Sequence, residues 1–251
     1  MNVSLFQAAS ALQANERWQE MIAENMASSS IPGYKKQELS FTAVEAGLLP
    51  QSSLAPNTAP RHFVLPHART VTSFLPGEMQ LTGVKTDVAI DGAGFFEVQL
   101  PSGSTVYTRN GAFEINAQGE LVTKAGYPVM GTSGPIQIDR NNPAPLSISP
   151  AGDVSQGLDN KGKIKVVDFS DPHLLTTLSG SYFLAENPNL LANESPVAAL
   201  RQGFLEGANT LPVMEMGSLL TAMRTYEANQ RIIQLQDERM ARAISELGNP
   251  S

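Results

Sequence analysis

Two segments of the chain repeat apolar residues at alternating steps of three and four, and they lie at its opposite ends. In residues 3 to 27, Leu5, Ala8, Leu12, Asn15, Gln19, Ile22 and Met26 fall on one line, apolar at both ends and polar in the middle. Glu16, Arg17, Glu20 and Glu24 take the opposite face. In residues 209 to 247, Val213, Met216, Leu220, Met223, Glu227 and Gln230 repeat the spacing, which then slips by one residue to Ile233, Asp237, Met240, Ile244 and Leu247. Both patterns predict long α-helices. A strip this narrow suits a helical partner better than a sheet, so the two helices are expected to pair in a coiled-coil-like manner, with each other or with other copies.

The first helix has a clear stop. Ser28, Ser29 and Ser30 compete for backbone hydrogen bonds, Pro32 pushes Ile31 out of the α region, and Gly33 supplies a turn. The second is expected to start near Asn209 or Thr210, with Pro212 in its first turn, and to end at Gly248 and Pro250.

Between the helices the pattern changes. Residues 33 to 80 carry prolines at 50, 56, 60, 66 and 76, which suit neither a helix nor a central strand. An extended connector with short edge strands, such as Arg61 to Leu65, is the expectation. Residues 84 to 204 alternate short strand-like runs with turns at Asp91-Gly92, Ser102-Gly103, Asn110-Gly111, Gln118-Gly119 and Ala125-Gly126. Asn110-Gly111 reads as a hairpin turn. The predicted class is therefore α+β, with terminal helices around a mainly antiparallel β domain. The expected divisions are 1–32 (assembly helix), 33–80 (connector), 81–206 (outer β domain) and 207–251 (assembly helix).

Composition narrows the functional classes. Charged residues are 16% of the chain and the net charge is −7, which argues against a nucleic-acid or anionic-membrane partner. Cysteine is absent, which excludes disulfides and thiolate chemistry. No run reaches the roughly 18 apolar residues of a membrane-spanning helix, and the N-terminus lacks the basic and apolar regions of a secretory signal. His62 and His67 stand five apart, which is not a zincin spacing. Gly131-Thr132-Ser133-Gly134-Pro135 lacks the second glycine of a nucleophile elbow, and Asp91-Gly92-Ala93-Gly94 lacks the rest of a phosphate loop. No catalytic, metal-binding or cofactor-binding residue is predicted, and no small-molecule substrate.

Several stretches together resemble the flagellar hook and rod axial-protein family. Its N-terminal signature, N-N-L-A-N-x-x-T-P-G-F/Y-K, is similar to residues 24 to 35. Asn25, Ala27, Pro32, Gly33, Tyr34 and Lys35 agree with it, whereas Glu24, Ser28 and Ile31 depart from it. Its middle signature resembles residues 87 to 96, with Asp91, Gly92, Gly94 and Phe95, and continues through Arg109, Asn110 and Gly111. Its C-terminal signature resembles Glu206-Gly207-Ala208-Asn209 and then residues 223 to 230, with Tyr226, Glu227 and Asn229.

The resemblance implies a non-enzymatic structural subunit of the basal-body rod, more similar to the proximal than to the distal rod type. It implies export by the flagellar type III apparatus and assembly in the periplasm with other rod proteins and copies of itself. Under it, Leu5, Leu12, Ile22, Met26, Val213, Met216, Leu220, Met223, Ile233 and Met240 form the assembly seam. A distal rod protein is the alternative within the family. A secreted β-rich hydrolase or adhesin is the alternative outside it; the hydrolase leaves the two helical seams unexplained, and an adhesin would lack the family signatures.

Overall fold

The computed structural model describes residues 3–48, 62–187, 190, 192–194 and 198–248, and the chain divides into two units, each assembled from separated stretches. The first comprises residues 1–26, 37–71 and 212–251. It holds α1 (Val3–Ala27), β1 (Gln37–Leu48), β2 (His62–Thr72) and the 37-residue helix α2 (Pro212–Gly248). Strands β1 and β2 pair as a two-stranded sheet. The expected connector is thus occupied by two long strands. The alternating run Leu39, Phe41, Ala43 gives the physical reason for β1, and the prolines at 50, 56 and 60 cluster between the strands rather than within them. Arg61, at the start of the expected edge strand, lies outside the described residues.

Met21 and Ile22 of α1 form a small core with Ala222 of α2, flanked by Trp18, Leu39 and Leu219. Ile22 and Ala222 are wholly buried. Of the expected α1 seam, Leu12 and Met26 are half-buried, and the side chain of Leu5 lies outside the described residues. On α2 the face in contact runs through Leu219 and Ala222, one residue away from the predicted line. Val213, Met216, Leu220, Met223 and Met240 are exposed, and Ile233 is half-buried.

The second unit comprises residues 27–36 and 72–211. Its strands are β3 (Met79–Leu81), β4 (Val88–Asp91), β5 (Phe95–Gln99), β6 (Thr105–Thr108), β7 (Phe113–Ile115) and β8 (Leu121–Thr123). There follow β9 (Met130–Gly131), β10 (Gly134–Pro135), β11 (Leu146–Ile148), β12 (Asp153–Gln156), β13 (Asp159–Lys163) and β14 (Val166–Phe169). The last are β15 (Thr176–Ser179), β16 (Tyr182–Leu184), β17 (Ala192–Glu194), β18 (Ala199–Gln202) and β19 (Phe204–Glu206). Among the described residues every pairing in this unit is antiparallel. The class is α+β.

Six strands form the main sheet in the order β15-β16-β6-β5-β14-β17. Successive side chains of a strand face opposite ways, so the adjacent Phe95 and Phe96 serve two different cores. Phe96 and Val98 join Val88, Phe113, Leu121 and Ile136 on one side. Phe95 joins Tyr107, Phe169 and Phe183 on the other. The final strands close the unit onto its beginning, β18 against β4 and β19 against β3.

Asn110-Gly111 is not a hairpin turn. β6 pairs with β5 and β16, while β7 pairs with β8. Gly111 instead passes directly against β4, its carbonyl accepting from the Val88 amide at 3.0 Å. A Cβ there would stand 1.6 Å from the Val88 carbonyl oxygen. The glycine is required for a close crossing of two strands, which no local pattern marks.

Gly111→Ala should therefore cost at least about 2–3 kcal/mol, because rigid backbone must move. Gly126→Ala, where φ is +83° and the added Cβ meets open space, should cost about 1–2 kcal/mol. Denaturant midpoints of the two variants give the comparison.

Candidate functional site: a buried ionic joint

The chain leaves α1 through a tight turn, in which the Ile31 amide donates to Ser28 and the Tyr34 amide to Ile31. Gly33, at φ +68°, then lies flat against the backbone of residues 109 and 110, where a Cβ would meet Arg109 and Asn110 backbone atoms at 2.4 Å. Glycine is needed here both for the left-handed conformation and for the contact. The Gly33 amide donates to the Glu206 carbonyl at 2.7 Å. Tyr34 follows, fully buried.

Lys35 comes next, and its side chain is inaccessible to solvent. Its ammonium donates to Glu206 Oε1 at 2.6 Å and to the Leu75 carbonyl at 2.8 Å. Arg109 reaches the other carboxylate oxygen, Nη1 to Glu206 Oε2 at 3.3 Å, and gives Nη2 to the Gly92 carbonyl at 2.9 Å. Its guanidinium lies over the Phe95 ring, 5.3 Å from the centroid. Glu206 also accepts from the Gly77 amide at 2.9 Å. One carboxylate thus gathers donors from three parts of the sequence.

Asn209 completes the arrangement with a second set of backbone clasps. Its Oδ1 accepts from the Lys36 amide at 2.6 Å, and its Nδ2 donates to the carbonyls of Ser73 at 2.8 Å and Leu75 at 3.0 Å. Within the first unit Asn25 acts in the same way on the next residue. Its Nδ2 donates to the Gln37 carbonyl at 2.8 Å and its Oδ1 accepts from the Gln37 amide at 2.9 Å.

Burial drives the electrostatics. It pushes the Lys35 ammonium below its usual range, Glu206 opposing and Arg109 adding to the fall. Arg109 is pushed down by the same burial, against Glu206 and Asp168. Two buried cations on one carboxylate are expensive to desolvate, and their mutual attraction to it offsets the cost only while all three are present. The arrangement holds chain segments together. Its charged groups engage one another, with Arg109 Nε alone among the described buried side-chain nitrogen and oxygen atoms lacking a partner. Among the described residues no group of three or more His, Asp or Glu is placed to hold a metal, and no helix is long and apolar enough to cross a membrane.

The structure brings part of the family motif together. Gly33, Tyr34, Lys35, Gly92, Phe95, Arg109 and Asn110 meet at the joint, with Glu206 at its centre. Gly94 adjoins it, Pro32 is half-buried at its entry, and Gly111 holds the neighbouring crossing. Asp91 instead pairs with Arg201 at the surface, and Ala27 is exposed at the end of α1. Tyr226 and Asn229 are half-buried on α2 and Glu227 is exposed there. In the sequence Glu206 stands in the family signature with no role and Asn209 reads as a candidate start of the second helix, whereas its side chain clasps Lys36, Ser73 and Leu75; Gly77 and Leu75 carry no local signal. A glutamate ending the otherwise apolar strand Phe204–Glu206 is the one signal that could have singled it out.

Comparison with known proteins adds two matches and several full-length relatives. Residues 89–156 match the flagellar hook protein FlgE/F/G D1 domain, and residues 201–246 match the C-terminal region of flagellar basal body rod FlgEFG proteins. The chain is 33% identical over 256 residues to the flagellar basal-body rod protein FlgF of Caulobacter vibrioides, covering 99% of each chain. It is 30% identical to FlgF of Mesorhizobium japonicum across 100% of both chains. It is 32% identical to the rod protein FlgG of Borreliella burgdorferi, covering 93% of this chain and 94% of that one.

Glu206→Gln should destabilise the second unit by about 3–5 kcal/mol, since it strands two buried cations. Asp91→Asn removes an exposed partner of Arg201 and should cost no more than about 1 kcal/mol. Chemical denaturation followed by tyrosine signals measures both, since the one tryptophan, Trp18, lies in the first unit.

Proposed function

The chain belongs to the FlgE/F/G family of flagellar rod and hook proteins, and we propose that it is a FlgF-type structural subunit of the basal-body rod, the shaft joining motor to hook. The end-to-end match supports the FlgF type: the two FlgF relatives align across 99% and 100% of both chains. FlgG relatives align at similar identity across 93% to 97% of this chain, which keeps a distal rod protein as the alternative.

One observation carries the assembly role. α2 leaves a row of large apolar side chains uncovered, Val213, Met216, Leu220 and Met223, with Leu235, Met240 and Ile244 further along. A patch of this length on a helix marks a surface meant for another protein. The terminal stretches 1–32 and 207–251, with Leu5, Leu12, Ile22, Met26 and Ile233, then form the assembly region, pairing in coiled-coil fashion with neighbouring copies and other rod proteins. Head-to-tail contacts between such surfaces generate a helical shaft. Residues 33–80 link this region to the outer β-rich domain at 81–206. The chain reaches its place through the flagellar type III apparatus. The role is structural, without catalytic residues, cofactors or small-molecule substrates.

Burying one Leu or Met of the row is worth roughly 1.5–3 kcal/mol per contact. Leu12→Asp and Leu220→Asp should each abolish incorporation into basal bodies and motility, with the near-ultraviolet circular dichroism of the purified protein retained. Normal rod completion and motility in both variants would contradict the assignment.

A further inference from the structure

We infer that the Lys35–Glu206 pair is a latch on folding order: residues 27–36 dock onto their unit only after the last strand, β19, is in place. Lys35 is near the start of the sequence and its carboxylate partner stands 171 residues later. Among the described residues no other carboxylate lies within ion-pair distance of the Lys35 ammonium. Docking this segment early would bury an ammonium beside the Arg109 guanidinium with no counter-charge, which is strongly unfavourable.

The backbone acceptors point the same way. The Gly33 amide needs the Glu206 carbonyl, and the Lys36 amide needs Asn209 Oδ1. Both acceptors arrive only with residues 206–209. The pairings β5–β6 and β7–β8, and the turn in which the Val129 amide donates to Leu121, join near neighbours and need nothing from the C-terminal stretch. Local contacts of this kind form first, and the long closure comes last. The central hairpins can therefore fold while the chain is incomplete, whereas the segment following α1 stays undocked. The latch belongs to the chain's own folding and is independent of the assembly role.

The test is amide hydrogen exchange on the full-length chain, comparing wild type, Glu206→Gln and Lys35→Met/Glu206→Gln. In Glu206→Gln, exchange at Gly33 and Lys36 should rise at least 100-fold, with Leu121 and Val129 still protected. In the double variant, where only the Arg109 guanidinium is left without its carboxylate, Gly33 and Lys36 should regain at least about 10-fold of the protection lost in Glu206→Gln. Equal exposure in both variants would overturn the latch, because docking would then depend on the backbone contacts alone. So would full protection in Glu206→Gln. Should Glu206→Gln lose protection throughout, pulse labelling of refolding wild type decides: protection of Gly33 and Lys36 ahead of Phe204 and Glu206 refutes the latch, and protection with or after them supports it.

Discussion

An ammonium buried without contact with water must have a counter-charge, and in this protein that requirement organises the second unit. Lys35 finds its carboxylate at Glu206, almost at the other end of the chain. Once that contact is set, much of the neighbouring geometry follows. Gly33 must lie against the backbone of 109 and 110 to deliver Lys35, Gly77 must approach the same carboxylate, and β19 must pair with β3 to present it. Asn209 then secures the backbone of Lys36, Ser73 and Leu75 around the pair. The ion pair itself adds little net stability over an apolar substitute, but breaking it is costly, so it acts as a constraint on which segments meet.

Much of the fold was legible because it is local. The terminal helices announce themselves by spacing, and the turns at Ser102-Gly103, Gln118-Gly119 and Ala125-Gly126 separate strands at the expected places. Phe95-Phe96 reads as a strand, though not as one feeding two cores. What stayed hidden is non-local. Asn110-Gly111 carries the residues of a hairpin turn, but its glycine serves a crossing with β4 that only the tertiary structure reveals. The strands at 37–48 and 62–72 were masked by the prolines at 50, 56 and 60 between them and by Pro66 within the second. For the site, the motif residues were identified by resemblance, but nothing in the sequence shows that three separate stretches meet on Glu206.

The face of α2 is instructive for the same reason. Its apolar residues do not lie on a single stripe, so a heptad line drawn from Val213 and a contact line drawn through Ala222 both have support. The folded chain uses the line through Leu219 and Ala222 for its own small core and leaves the other exposed. A helix with two usable faces can hold its own chain and still offer a surface to neighbours, as a subunit of a multi-protein shaft requires. A buried ionic joint, in which only Arg109 Nε lacks a partner, fixes one unit internally, and the other carries an exposed apolar row on α2.

The central claim is that Lys35 and Glu206 act as one energetic unit. A double-mutant cycle on folding stability with Lys35→Met, Glu206→Leu and the combined variant measures it directly. The expected coupling energy is about 2–3 kcal/mol, with the double variant more stable than Glu206→Leu alone although Arg109 still lacks its carboxylate. Additive effects, with coupling below about 0.5 kcal/mol, would contradict it.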